Sequence, residues 1–214
     1  HGFVAPDQFM PLAEQTSLIA PLTHWVLETA LEQCRLWLDA GLSLSVSVNL
    51  SMSNLRDANL PDTIAGLLVR YNVPPYILCC EVTESAVMAD AAHTIDVLNR
   101  LFALGIRIAI DDFGTGYASL SYLKHLPADE LKIDRTFVQH LTTDEMDQAI
   151  VRSTIDMAHS MGMCVVAEGV EDQMTWDLLA SLTCDIAQGY YLSRPIPARD
   201  LEHWLDERKE MVVS

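Results

Sequence analysis

The sequence predicts a single α/β domain built as a parallel (β/α) barrel, and three observations predict it. Short apolar runs alternate with stretches of helical spacing, which implies βαβ crossovers and a parallel sheet. Each of the six apolar runs is followed by a carboxylate, an amide or an amine: Asn49, Glu81, Asp111, Lys132, Glu168 and Gln188. An open doubly wound sheet gathers its functional residues at one switch point, whereas a barrel draws them from the carboxyl ends of many strands, so polar residues at every strand end choose the barrel. A complete eight-stranded barrel uses about 250 residues. Six strands in 214 residues therefore suggest a barrel lacking its first two strands in this chain.

In chain order, strands are expected over Leu44–Val48, Tyr76–Cys80, Ile106–Ile110, Glu130–Leu131, Cys164–Ala167 and Ile186–Ala187. Between them, Trp25-Val26-Leu27, Ala30-Leu31, Cys34 and Trp37-Leu38 recur with helical period, as do Ile95, Leu98 and Leu101-Phe102. Another helix is expected from Met146 to Met161, with Thr142-x-x-Glu145 as a capping box. A closing helix is expected over Ala198–Arg208, after the loop Ser193-Arg194-Pro195-Ile196-Pro197. Tryptophan and methionine at helical spacing, Trp25, Trp37 and Met161 among them, are expected in the core. No linker, low-complexity segment or charge block divides the chain, so residues 1–214 read as one domain.

A chain with 50% hydrophobic and 20% charged residues packs a core, which excludes disorder. No apolar run approaches the roughly 18 to 20 residues that cross a bilayer. The opening His1-Gly2-Phe3 has neither a basic start nor an apolar signal core. Five cysteines without Cys-x-x-Cys spacing fit a reducing compartment, and a cytoplasmic domain is expected. The 30 acidic and 13 basic residues give a net charge of −17, a field that repels nucleic-acid polymers.

Brought to one rim, Asn49, Glu81, Asp111, Asp112 and Glu168 would be four carboxylates and an amide oxygen, which cannot all stay ionised without a cation. Oxygen-only donors call for a hard ion such as Mg²⁺ or Mn²⁺ and argue against structural zinc. The adjacent Asp111 and Asp112 could serve two ions, and a pair about 3.5 to 4 Å apart is the usual device for displacement at a phosphodiester. Lys132 is the one cation of the set, fit to orient an attacking water or a phosphate oxygen. A single acid after a strand is ordinarily a helix N-cap or a solvated charge. Lys132 and Gln188, however, are poor caps, and the paired aspartates would repel. Gly114-x-Gly116 does not complete a Gly-x-Gly-x-x-Gly phosphate loop, because Ser119 holds the sixth place. It reads as a flexible loop beside the acids; Glu84 is either a plain surface charge or, the favoured reading, an acceptor that pins this loop.

These residues also carry a resemblance. Ser47-Val48-Asn49-Leu50-Ser51, Glu81-Val82-Thr83-Glu84, Ile110-Asp111-Asp112-Phe113-Gly114-Thr115-Gly116-Tyr117, Leu131-Lys132-Ile133-Asp134, Ala167-Glu168-Gly169-Val170-Glu171 and Gln188-Gly189-Tyr190 resemble, in order and spacing, the EAL domain of bacterial cyclic-di-GMP phosphodiesterases. The resemblance implies a TIM-like barrel with one antiparallel strand, hydrolysis of cyclic-di-GMP to linear pGpG, and two Mg²⁺ or Mn²⁺ ions. By the same likeness Asn49, Glu81 and Asp111 are ligands of the first metal, and Asp111 and Asp112 lie at the second. Glu168 matches a second-metal ligand or general base, and Lys132 matches the lysine beside the nucleophilic water. Glu84 matches the loop anchor, with Glu171 and Gln188 as supports. A homodimer joined near the Asp111–Tyr117 loop, and attached sensory or cyclase domains in a longer protein that is open to membrane attachment, are further implications. The Glu-Ala-Leu motif itself is not in the chain, so a fragment of a longer protein, weak or inactive alone, is expected. The competing reading is a catalytically inactive domain that serves as cyclic-di-GMP receptor or protein-interaction module.

Overall fold

The structure is a computed structural model that describes residues 4–16, 18–88, 90–115 and 123–212. Gly116, Tyr117 and Ser119, like His1-Gly2-Phe3, lie outside the described residues. Its frame is one sheet of six parallel strands: β1 (Val46–Asn49), β2 (Leu78–Thr83), β3 (Arg107–Phe113), β4 (Glu130–Ile133), β5 (Cys164–Glu168) and β6 (Ile186–Gln188). Their order in space is their order in the chain. A doubly wound sheet would reverse direction at a switch point, so an unreversed order is that of a barrel wall. The antiparallel strand implied by the resemblance is not among these six, whose five pairings are all parallel.

Helices α1 (Pro6–Glu14) and α2 (Ile19–Asp39) precede β1, and α3 (Met52–Leu55) with α4 (Leu60–Tyr71) leads to β2. Helices α5 (Glu84–Met88) and α6 (Ala91–Ala103) cross to β3, while α7 (Arg135–Val138) and α8 (Glu145–Ser160) cross from β4 to β5. The last described helices are α9 (Gln173–Ser181) before β6 and α10 (Ala198–Val212) after it.

Local chemistry moves some boundaries. Asn72 ends α4 in the left-handed region (φ 52°), and Pro74-Pro75 leads into a short 3₁₀ turn over Pro75–Ile77. Strand β2 therefore begins at Leu78, two residues later than the apolar run suggests, and extends to Thr83. Strand β3 likewise extends to Phe113, so Glu81 and Asp111 lie within strands and not in the loops after them. The expected box at Thr142 does not form. Asp144 caps α8 instead, its carboxylate accepting from the N–H groups of Met146 and Asp147 at 2.7 and 3.3 Å. Trp25 is 61% exposed, because the buried stripe of α2 runs through Thr23, Leu27, Leu31 and Cys34 and leaves it on the outer side. Met161, at the end of α8, is also exposed.

The period of two gives the sheet two different faces. Cys80 and Val82, Ile108 and Ile110, and Leu131 and Ile133 join the helices in one apolar cluster. The intervening residues face the other way, and register carries their alignment from strand to strand. Asn49 pairs with Glu81, Glu81 with Ala109, and Ala109 with Glu130. Asp111 and Lys132, each two residues further on, share that face. Lys132 then pairs with Val166, two before Glu168, and Glu168 pairs with Gln188. All six polar strand-end residues thus stand on the face turned away from the helices.

Candidate active site

At the carboxyl end of that face, three strands send carboxylates to one amine. Lys132 Nζ lies 2.7 Å from Glu168 Oε1, 2.9 Å from Glu81 Oε2 and 3.1 Å from Asp111 Oδ1. Lys132, Glu81 and Asp111 are buried and Glu168 is partly so. Burial by itself works against the ammonium. The hydrogen bonds to Glu168 and Glu81, with the charges of Glu81 and Asp111, outweigh it and hold Lys132 above the ordinary lysine range. The lysine is thus locked in its charged form, and the surplus falls on the acids. Burial, reinforced by Asp111 and Glu81, raises the Glu168 carboxyl despite its bond to Lys132. Burial, then Asp111 and Asp134, likewise raises Asp112.

Asp112 has a left-handed backbone (φ 55°) where the pairing of β3 with β4 shifts register. Aspartate tolerates this conformation better than most residues, and a strained residue in such a place is a functional signal. The turn aims the adjacent aspartates differently: Asp111 reaches Lys132, while Asp112 is half-buried to one side. Glu84, the first residue of α5, is buried and accepts from the Gly114 N–H at 3.4 Å, so it touches the acid-bearing loop from below.

Helix α7 supports two of the acid-bearing loops. A Cβ on Gly114 (φ +96°) would stand 3.0 Å from the Phe137 ring, and one on Gly169 (φ +75°) would stand 2.6 Å from Arg135 Cβ. The segments following Asp112 and Glu168 therefore both rest on the same four-residue helix, each through a glycine. Arg135 and Phe137 had no place in the sequence reading of the site. The available signal was a glycine closely following a rim carboxylate in both Asp111-Asp112-Phe113-Gly114 and Glu168-Gly169.

Asn49 and Gln188 occupy the two outer strands of the ring, each exposed and each in register with a carboxylate, Glu81 and Glu168 respectively. The Gln188 carbonyl accepts from Val170 N–H at 3.1 Å, which ties the β6 end to the loop after β5. Glu171 is exposed in that loop and does not join the contacts around Lys132.

Four carboxylates against one ammonium leave three formal negative charges among Glu81, Asp111, Asp112, Glu168 and Lys132. Among the described residues no three acidic, histidine or cysteine side chains form a ready cation cage. The carboxylates converge on Nζ instead. Oxygen donors with surplus negative charge nevertheless fit a hard divalent cation by their chemistry.

A model of the EAL domain matches residues 1–195. The chain belongs to the EAL domain family. It is 46% identical over 202 residues to the bifunctional diguanylate cyclase/cyclic di-GMP phosphodiesterase MucR of Pseudomonas aeruginosa, covering 94% of this chain and 30% of that protein. It is 42% identical over 205 residues to the cyclic di-GMP phosphodiesterase NbdA of the same organism, covering 95% of this chain and 26% of that protein. The solved PaMucR phosphodiesterase in complex with c-di-GMP superposes with a TM-score of 0.90 at 46% identity, over 94% of this chain and 82% of that one. This EAL domain thus spans about a quarter to a third of the curated relatives' length. Among the described residues no helix is long and apolar enough to cross a membrane.

Proposed function

We propose that this EAL domain is the catalytic part of a metal-dependent phosphodiesterase that hydrolyses cyclic-di-GMP to linear pGpG. The observation that carries this reading is the buried Lys132 ammonium ringed by Glu81, Asp111 and Glu168 from three strands, with Asp112 beside it. The names of its close relatives and the c-di-GMP complex of a 46% identical domain support the choice of substrate.

In this reading Asn49, Glu81 and Asp111 would hold one Mg²⁺ or Mn²⁺, and Asp111, Asp112 and Glu168 would hold a second. Bound ions would lower the pKa of a water and neutralise phosphate oxygens. The ammonium of Lys132 has three donors and no acceptor, so it cannot serve as the base, and a donor released when a carboxylate turns to an ion would orient the attacking oxygen or the phosphate. Glu168, whose carboxyl is raised, is suited to take the proton from the water. The oxygen of water joins phosphorus, the bond from phosphorus to the 3′ oxygen breaks, the 3′ oxygen takes up the proton that Glu168 gives back and leaves as a hydroxyl, and a 5′-phosphate remains on the linear product. Glu84 steadies the loop at Gly114, and Gln188 and Glu171 support the β5–β6 side.

Residues 1–214 act as one unit, in the cytoplasm, within a protein that also carries sensory or cyclase domains. Two copies pair near the Asp111–Tyr117 loop, and sedimentation showing only monomer with and without nucleotide would refute the pairing. A time course of cyclic-di-GMP with Mn²⁺, resolved by chromatography, tests the reaction in the intact protein. The parent is expected to form pGpG, and Glu81→Ala at least about a thousandfold less. Saturable nucleotide binding without product would overturn the reading in favour of a receptor.

A further inference from the structure

The rim holds two cations in different circumstances. Lys132 is 4% exposed and fully engaged by carboxylates. Arg135, three residues further on, opens α7 and is exposed. The base of its stem packs against Gly169, where there is no room for a Cβ. Its charge reaches Asp112, where it opposes the rise that burial causes. Arg35, Arg70, Arg100 and Arg107 each rest on a carboxylate at 2.6 to 3.1 Å. Among the described residues no such salt bridge holds the guanidiniums of Arg56, Arg135, Arg152 and Arg194, and Arg135 is seated against the loop after Glu168. A guanidinium beside surplus acid, packed at the base of its stem and without a carboxylate partner among the described residues, is available to a ligand.

The ligand chemistry follows from charge. A cyclic dinucleotide has two phosphodiesters, and the carboxylate ring with Lys132 can act on one of them. The other must lie beyond the ring, in the field of a chain with net charge −17, and needs a local cation. A planar guanidinium is the side chain that grips a phosphate through two parallel hydrogen bonds. Resting on the phosphodiesterase reading, we propose that Arg135 is a specificity-determining residue that binds the phosphodiester that is not cut. Arg135 thereby selects cyclic dinucleotides over diesters with a single phosphate. A plain electrostatic damper on Asp112 has a different signature, since it would weaken every diester alike.

The test compares the intact parent, Arg135→Gln and Arg135→Lys on cyclic-di-GMP and on bis(4-nitrophenyl) phosphate with Mn²⁺, together with the Kd for cyclic-di-GMP. Glutamine keeps much of the stem and removes the charge. Arg135→Gln is expected to raise KM and Kd for the dinucleotide about tenfold to a hundredfold with kcat within twofold. Its loss of kcat/KM should be at least tenfold greater on the dinucleotide than on the single-phosphate ester, and Arg135→Lys should recover part of it. Equal losses on both esters, or an unchanged dinucleotide KM and Kd, would overturn the proposal. A parent that cuts neither ester brings down the phosphodiesterase reading itself. Arg135 is then judged by Kd alone, a tenfold weakening sustaining the phosphate contact and an unchanged value removing it.

Discussion

Leu131 and Lys132 are neighbours in β4 and almost equally buried, at 0% and 4% exposure, yet they face different surroundings. Leu131 belongs to the apolar cluster under the helices, where contact is non-directional and a residue of similar volume serves nearly as well. Lys132 stands among three carboxylates, where a displacement of an ångström changes what the group can do. The same alternation sets Val82 beside Glu81 and Ile110 beside Asp111. What separates the two faces is therefore the identity of the neighbours, and the depth of burial does not distinguish them.

Substitution on each face should expose that difference. Lys132→Met is expected to cut turnover of cyclic-di-GMP by about 100- to 1000-fold in steady-state assays. Without divalent ions it should also lose about 3 kcal/mol in urea unfolding, because three carboxylates lose their partner. Added Mg²⁺ should restore part of that stability, and equal loss with and without Mg²⁺ would count against a charge-based cause. Leu131→Ala should cost a similar amount, about 3 kcal/mol, through cavity formation. Its kcat and KM below the unfolding transition should match the parent, and a changed KM would show that the two faces are coupled.

Gly169→Ala combines a positive φ with a collision against the Arg135 stem, and should cost about 1 to 3 kcal/mol by denaturant melts. Gly41, also at positive φ but with open space around it, should tolerate alanine better. The smallest effect concerns pH. The Glu168 carboxyl is raised in the fold, so the stability it contributes is present below its ordinary value of 4.5 and is lost as pH rises through the folded value. Without metal, Glu168→Gln should therefore be the more stable protein at pH 7, the gap closing as pH falls toward 4. A gap that widens on acidification would reverse the sign and refute the raised carboxyl.

Both the strand ladder and the ring were legible in the sequence because period-two patterning and register are additive along a chain. Once Asn49, Glu81, Asp111, Lys132, Glu168 and Gln188 stand at or near the ends of successive strands, parallel pairing leaves them little choice of face. Boundaries were less legible. Pro74-Pro75 delays β2 through a turn preference that hydropathy does not record, and the α8 cap went to Asp144 because a nearer carboxylate competes for the same N–H groups. Trp25 misleads for another reason: a helix 21 residues long has apolar residues to spare beyond its buried stripe. The support given by Arg135 and Phe137 joins β3, β4 and β5 across the fold, and no local pattern announces contacts between such distant segments.

The unreversed strand order also bears on how the molecule comes into being. Each strand pairs with the one made just before it, so the sheet extends in the direction in which the ribosome delivers the chain. Among the described strands none waits for a distant partner to emerge, and the loop each pairing closes is about the length of one crossover. Such a chain can assemble by accretion, each unit docking on an edge already built. The growing edge is then the aggregation hazard of nascent folding, and the ring gathers its members in order, Asn49 first and Gln188 last.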